Sequence, residues 1–131
     1  MRGTAVIETD IRPVVTALNA IPGVRSLWSC HGHPLLRPAN PFVTFIAPVG
    51  FAFALQQAVE CQDGLRYCWQ MQGRFMDDGV VQYTLSPNDV RLPAGRRHWL
   101  VFWWRRNIRR ELLALADLVG RTAASTRSRG R

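Results

Sequence analysis

The segment GVRSLWSCHGH at residues 23–33 returns as GLRYCWQMQGR at residues 64–74, an offset of 41 positions. Both copies read glycine, an apolar residue, arginine, tryptophan three positions later, and then glycine followed by a basic residue. The same offset pairs Val14 with Leu55 in the stretches that precede the two segments. Both coincidence and an internal duplication explain such a similarity between the two segments. We interpret it as an internal repeat because matching positions recur on matching predicted elements.

Each copy of the repeat follows a helical pattern and leads into strand-like patterns. One helix–strand–strand unit buries too little apolar surface to be stable alone, so the two units are expected to share one sheet. Units at about 10–48 and 51–87 then form a mixed or antiparallel sheet around a pseudo-twofold axis. The predicted elements are a helix that Asp10 caps, strands at 24–29 and 41–47, a helix at 51–60, and strands at about 65–71 and 80–86.

A long last helix follows the repeats. Its apolar positions recur at three- or four-residue steps, which is typical of a stripe that faces a core. Gly120 is the predicted end of this helix, and residues 121–131 are predicted to be a disordered basic tail. The fold class is therefore a single α+β domain over residues 1–120. The predicted stripe is Leu100, Trp104, Ile108, Leu112, Leu115 and Val119.

Charge is concentrated in the last third of the chain. All 17 basic residues are arginine; residues 1–90 carry a net charge of −1 and residues 91–131 carry +9. A polyanion partner explains this excess, and so does a solvated helix face. On the first interpretation the nucleic-acid contacts are Arg105, Arg106, Arg109 and Arg110. Trp99, Phe102 and Trp103, which share the outer face of this helix, are expected to bury against a neighbouring element or a dimer partner, with base stacking as the alternative.

Several classes of protein are excluded or disfavoured by composition. The most apolar run, Trp99 to Trp104, has six residues, whereas a membrane span needs about 20. No apolar signal core follows Met1, so we expect a cytoplasmic protein without a membrane partner. Three cysteines without framework spacing fit reduced thiols. The all-arginine composition suggests a bacterial source, and we expect a monomer or a homodimer.

A candidate binding cleft follows the first predicted strand. Gly32 allows a tight turn and a close approach of a ligand. Exposed N–H groups there, together with Ser29 and Cys30, suit a carboxylate or phosphate. His33 and its repeat counterpart Arg74 would add charge from two symmetric Gly-basic loops. The structural alternative is that Ser29 and Cys30 only close a strand. Cys30, His31 and His33 offer zinc donors, but Cys-His-x-His lacks the spacing of a zinc site, so no metal is expected.

The Ser-Cys-x-Gly-basic loop resembles that of the methyltransferase family of wybutosine synthesis on phenylalanine tRNA. The order of elements over about residues 10–119 is similar too, including a C-terminal helix that carries an asparagine, here Asn107. The chain departs from the family where Trp28 replaces a serine and His33 replaces an arginine. The resemblance implies an S-adenosylmethionine site at this loop and a tRNA substrate.

Three hypotheses on function follow, and the residues leave open whether the chain is an enzyme. The first is a small RNA-directed protein that binds or modifies tRNA, with S-adenosylmethionine in the cleft. The second is a non-enzymatic accessory protein that binds nucleic acid, RNA rather than DNA, through its arginine-rich last helix. The third is an oligomeric adaptor whose aromatic helix face contacts a protein.

Overall fold

Helices and strands follow one another in the order helix–strand–strand, helix–strand–strand, helix, which confirms the α+β prediction. The computed structural model describes residues 10–30, 41–61, 64–89 and 101–129, apart from the side chains of Cys30 and of residues 101–105, 128 and 129. The elements are α1 (Arg12–Asn19), β1 (Arg25–Cys30), β2 (Phe42–Ile46), α2 (Val49–Glu60), β3 (Trp69–Phe75), β4 (Val81–Pro87) and α3 (Val101–Arg129).

The four strands form one antiparallel sheet in the order β1-β2-β4-β3. This order places the second strand of each unit at the centre, as a twofold axis between β2 and β4 requires. Thr44 pairs with Thr84 at that centre, and their hydroxyl oxygens lie 3.1 Å apart. The two helix–strand–strand units therefore share a single sheet.

Helix α1 forms because its apolar positions share one face, with proline in the first turn where no N–H donor is needed. The prediction that Asp10 caps this helix is wrong. The N-cap position is Ile11, without a side-chain cap. The Asp10 carboxylate is buried instead and accepts a hydrogen bond of 3.2 Å from Arg109 Nε on α3.

The two repeat segments share their turns but not their strand register. Gly23 and Gly64 both have φ near +80°, a conformation that glycine adopts without strain, so both turns use glycine for the same reason. Beyond the turns the copies diverge. Trp28 pairs with Thr44 and is 56% exposed, whereas Trp69 pairs with Pro87 and is 4% exposed. Residues related by the offset of 41 positions are thus structurally equivalent in the turns but not in the strands that follow them.

The third strand begins later than predicted, at Trp69 rather than at about residue 65. The backbone N–H groups of Arg66 and Tyr67 donate to the Glu111 carboxylate of α3 instead of to a neighbouring strand. Consequently Gly73 and Arg74 lie inside β3, paired with Tyr83 and Gln82. The prediction that they form a loop symmetric with the Gly32-His33 loop is wrong.

The core lies between one face of the sheet and the three helices. The predicted stripe of α3 is confirmed over Ile108, Leu112, Leu115 and Val119, all fully buried, while the side chains of Leu100 and Trp104 are outside the described residues. Burial of such a side chain stabilises a fold by about 1.5–3 kcal/mol. The largest sheet residues of the same cluster are Val43, Phe45, Trp69 and Leu85.

Helix α3 continues through Gly120 to Arg129, so the prediction of a disordered tail is wrong over residues 121–129. Thr122 and Ala123 are buried and extend the apolar stripe beyond Val119. The Thr126 hydroxyl donates to the Thr122 carbonyl at 2.8 Å, a bond made inside the helix. Tertiary packing therefore outweighs the helix-ending tendency of one glycine.

Because Gly120 lies exposed within this helix, Gly120→Ala is expected to raise the free energy of unfolding by about 0.5–1 kcal/mol. A Cβ atom added there would meet no atom within 4 Å. Urea denaturation measures the change. Gly79→Ala is the contrasting control, because Gly79 is equally unobstructed but has φ +84°, and it should lower stability. A loss of stability in Gly120→Ala would contradict a helix that passes through this residue.

Candidate nucleic-acid interface

The described residues of the predicted cleft lie on two different edge strands of the sheet. Ser29 and Cys30 end β1, where they pair with Val43 and Phe42. Arg74 lies on β3, the opposite edge strand. Three strand spacings, roughly 14 Å, separate these two edges. The structure therefore places Arg74 on the edge strand opposite to Ser29 and Cys30.

Gly32 and His33 lie outside the described residues, so the S-adenosylmethionine site stays a prediction. Among described residues no group of three or more histidine, cysteine and acidic side chains could hold a metal ion, and Cys61 and Cys68 are exposed free thiols. In the same part of the chain, no helix combines the length and apolar character of a membrane span.

A hollow of about 170 Å³ lies between α2 and β3. Pockets for drug-sized ligands measure about 300–1,000 Å³, so this one is small for a nucleoside cofactor. Its rim carries exposed apolar side chains, including Phe53 at 61% exposure. The residues that line it are Val49, Ala52, Phe53, Gln56, Met71, Gly73 and Tyr83.

The basic surface of α3 contains two exposed arginines in similar environments. Arg106 and Arg110 are exposed, and neither forms an ion pair with another described residue. They are one helical turn apart, about 6 Å along the axis, on the same side of α3. Within the described part of the chain, both guanidinium groups are thus available to an external anion.

The other two predicted arginines differ from this pair. Arg109 forms an ion pair with the buried Asp10 at 3.2 Å, so the Asp10 carboxylate partly neutralises its charge. The side chain of Arg105 is outside the described residues. Farther along the helix, Arg121 pairs with Asp117 at 2.8 Å. Of the four predicted arginines, Arg106 and Arg110 are therefore the two with described side chains and no described carboxylate partner.

Glu111 positions the loop that precedes β3, and the sequence reasoning missed it. The carboxylate is 3% exposed and accepts hydrogen bonds from Arg66 N and Tyr67 N at 2.9 Å and from Trp69 Nε1 at 2.8 Å. The available signal was its position between Ile108 and Leu112 in the apolar stripe. An acid at such a position needs buried donors.

Asn107, one turn before Glu111, carries a buried donor without a partner. Its Oδ1 accepts a hydrogen bond of 3.4 Å from Arg66 Nη1, while its Nδ2 has no acceptor. Turning the amide over would place two donors face to face, so the arginine determines its orientation. Asn107 and Glu111 together hold the Arg66 segment against α3.

The fold and this surface define an α+β protein with a basic helical face. No protein-family model matches the chain, and no curated protein matches it. The chain is similar to a crystal structure of a hypothetical protein from Aeropyrum pernix, with 11% identity, coverage of 92% of this chain and 98% of that chain, and a TM-score of 0.47. That likeness carries no argument on function. The resemblance to the wybutosine methyltransferases stays a prediction.

Proposed function

We propose that the chain is a non-enzymatic nucleic-acid-binding protein whose helix α3 contacts phosphate groups. One observation carries the proposal: Arg106 and Arg110 are exposed, adjacent and without a carboxylate partner among described residues. They belong to a segment, residues 91–131, with a net charge of +9. Such a surface attracts a polyanion before any specific contact forms.

Arginine suits this role because its planar guanidinium presents two parallel N–H donors to a phosphate. Each phosphate that is neutralised releases condensed counterions, which makes the affinity depend on salt. RNA is preferred over DNA in this proposal because the resemblance is to tRNA-modifying enzymes. A cytoplasmic, bacterial setting goes with the proposal, and the free thiols of Cys61 and Cys68 are compatible with it.

Binding is favoured over methyl transfer by two features of the described residues. Ser29 and Arg74 lie on opposite edges of the sheet, so they offer no shared site for a small cofactor. The hollow beside α2 is small for such a molecule. Neither feature bears on phosphate contacts made along α3.

The test is the affinity for a short fluorescently labelled RNA of mixed sequence, followed by anisotropy between about 50 and about 200 mM salt. Two phosphate contacts on a single strand give a log–log slope of about −1.4, and further contacts make it steeper. An affinity that is independent of salt, or no binding at the lowest salt, would contradict the proposal.

A further inference from the structure

One face of the sheet is not covered by any described helix. The helices pack on the sheet face that carries Val43 and Phe45. Because successive residues of a strand point to opposite faces, Thr44 and the residues paired with it in the neighbouring strands belong to the other face. The exposed side chains of this outer sheet face lie on its two edge strands: Arg25 and Trp28 on β1, and Gln72 and Arg74 on β3. At its centre Thr44 on β2 is buried beside Thr84 on β4.

An irregularity in β1 places Trp28 on this face. Ser26 pairs with Phe45, and the register then shifts so that Trp28 pairs with Thr44. Regular alternation would have paired position 28 with Val43, on the side of the helices. The bulge turns the indole outward, where it is 56% exposed. Bulges of this kind redirect side chains and are frequent beside functional sites.

Charge on the outer sheet face has one sign. The sequences of the four strands contain no acidic residue. Their two arginines, Arg25 and Arg74, both lie on the outer face and are both exposed. An exposed aromatic ring on the same edge strand as Arg25, with Arg74 on the opposite edge, is complementary to a ligand that has flat rings and a phosphate backbone.

We infer that the outer sheet face binds an unpaired stretch of RNA, with a base stacked on Trp28 and phosphates at Arg25 and Arg74. The inference rests on the proposed function and adds a second contact surface, on the side of the sheet opposite to α3, which determines the form of nucleic acid that is bound. A sheet roughly 14 Å wide accommodates two or three nucleotides, as aromatic sheet surfaces in RNA-binding proteins do. Gln72, exposed beside Arg74, offers an amide to a base edge.

The experiment compares Trp28→Ala, Trp28→Phe and a matched control, Phe53→Ala, in which another exposed aromatic residue is removed from α2. The probe is a short labelled RNA without secondary structure, and a duplex of the same length is the second ligand. Trp28→Ala should bind the unpaired RNA at least about fivefold more weakly with an unchanged salt slope, because stacking neutralises no phosphate. Trp28→Phe should retain most of the affinity, and Phe53→Ala all of it.

Arg25→Ala combined with Arg74→Ala provides a test that does not depend on the indole. In this double variant, the log–log slope of affinity against salt for unpaired RNA should become shallower by about 1.4. If wild-type protein binds no RNA, the proposed function fails and this inference with it. If binding depends on Arg106 and Arg110 but the Trp28→Ala and Phe53→Ala variants bind unpaired RNA with equal affinity, the proposed function stands and the inference is overturned. Equal losses for duplex and unpaired RNA would also overturn it, since stacking requires unpaired bases.

Discussion

Glu111→Ala is expected to lower the free energy of unfolding by about 3–5 kcal/mol. The substitution leaves three donors, the backbone N–H groups of Arg66 and Tyr67 and the Trp69 indole N–H, without their acceptor. Each buried donor without a partner costs about 1–3 kcal/mol. Since a domain of this size is stable by about 5–15 kcal/mol, a large share of the stability is lost.

Urea denaturation followed by far-ultraviolet circular dichroism measures this loss. Asp117→Ala is the matched control: Asp117 is an exposed acid on the same helix whose ion pair with Arg121 lies at the surface, and its loss should cost about 1 kcal/mol or less. Glu111→Gln keeps one acceptor oxygen and should fall between the two. A Glu111→Ala protein as stable as Asp117→Ala would contradict the anchoring role.

Arg106→Ala combined with Arg110→Ala should weaken RNA binding by about tenfold per arginine, because each removes a charge-assisted hydrogen bond. The salt slope for single-stranded RNA should become shallower by about 1.4, the value for two lost phosphate contacts. Stability should change little, since both side chains are exposed. Anisotropy titrations at several salt concentrations give both quantities.

The matched control for this double variant removes the same charge elsewhere. Arg12→Ala combined with Arg127→Ala takes away two exposed arginines, one on α1 and one on the later part of α3. If net charge alone attracted RNA, the two double variants would lose affinity equally. That result would contradict a specific role for the pair at 106 and 110.

Hydrophobic periodicity predicted the helices and most of the sheet. The stripe from Ile108 to Val119 recurs at helical spacing because one face of α3 is buried, and burial is what periodicity records. The strand at 41–47 was recognisable for a related reason: Val43 and Phe45 are fully buried at alternate positions. Both signals are local, so the sequence alone carried them.

The misplaced elements depend on contacts that are distant in sequence. Residues 65–68 have a strand-like pattern, but Glu111, more than forty positions later, binds their N–H groups and delays the start of β3. Residues 121–129 have a tail-like composition, yet Thr122 and Ala123 pack into the core. Local sequence propensities predict neither interaction, because both join residues that are distant in sequence.

The candidate site was predicted less well than the fold. The arginines of α3 were found from charge alone, but the tertiary structure was required to separate Arg109, which is bound to Asp10, from Arg106 and Arg110, which have no carboxylate partner among the described residues. The symmetric cleft failed because the repeat was aligned through its tryptophans. A bulge in β1 and a longer connection before β3 place Trp28 and Trp69 on different faces, and neither irregularity has a marker in the residue pattern.

RNA binding by α3 and by the outer sheet face is tested by an amide chemical-shift titration of the full chain, first with S-adenosylmethionine and then with a short unpaired RNA at two salt concentrations. We predict that RNA shifts the signals of residues 106–110 and of Trp28, more strongly at low salt, and that S-adenosylmethionine shifts none of these signals. Shifts of Ser29 and Cys30 with S-adenosylmethionine, with the α3 signals unmoved by RNA, would contradict it.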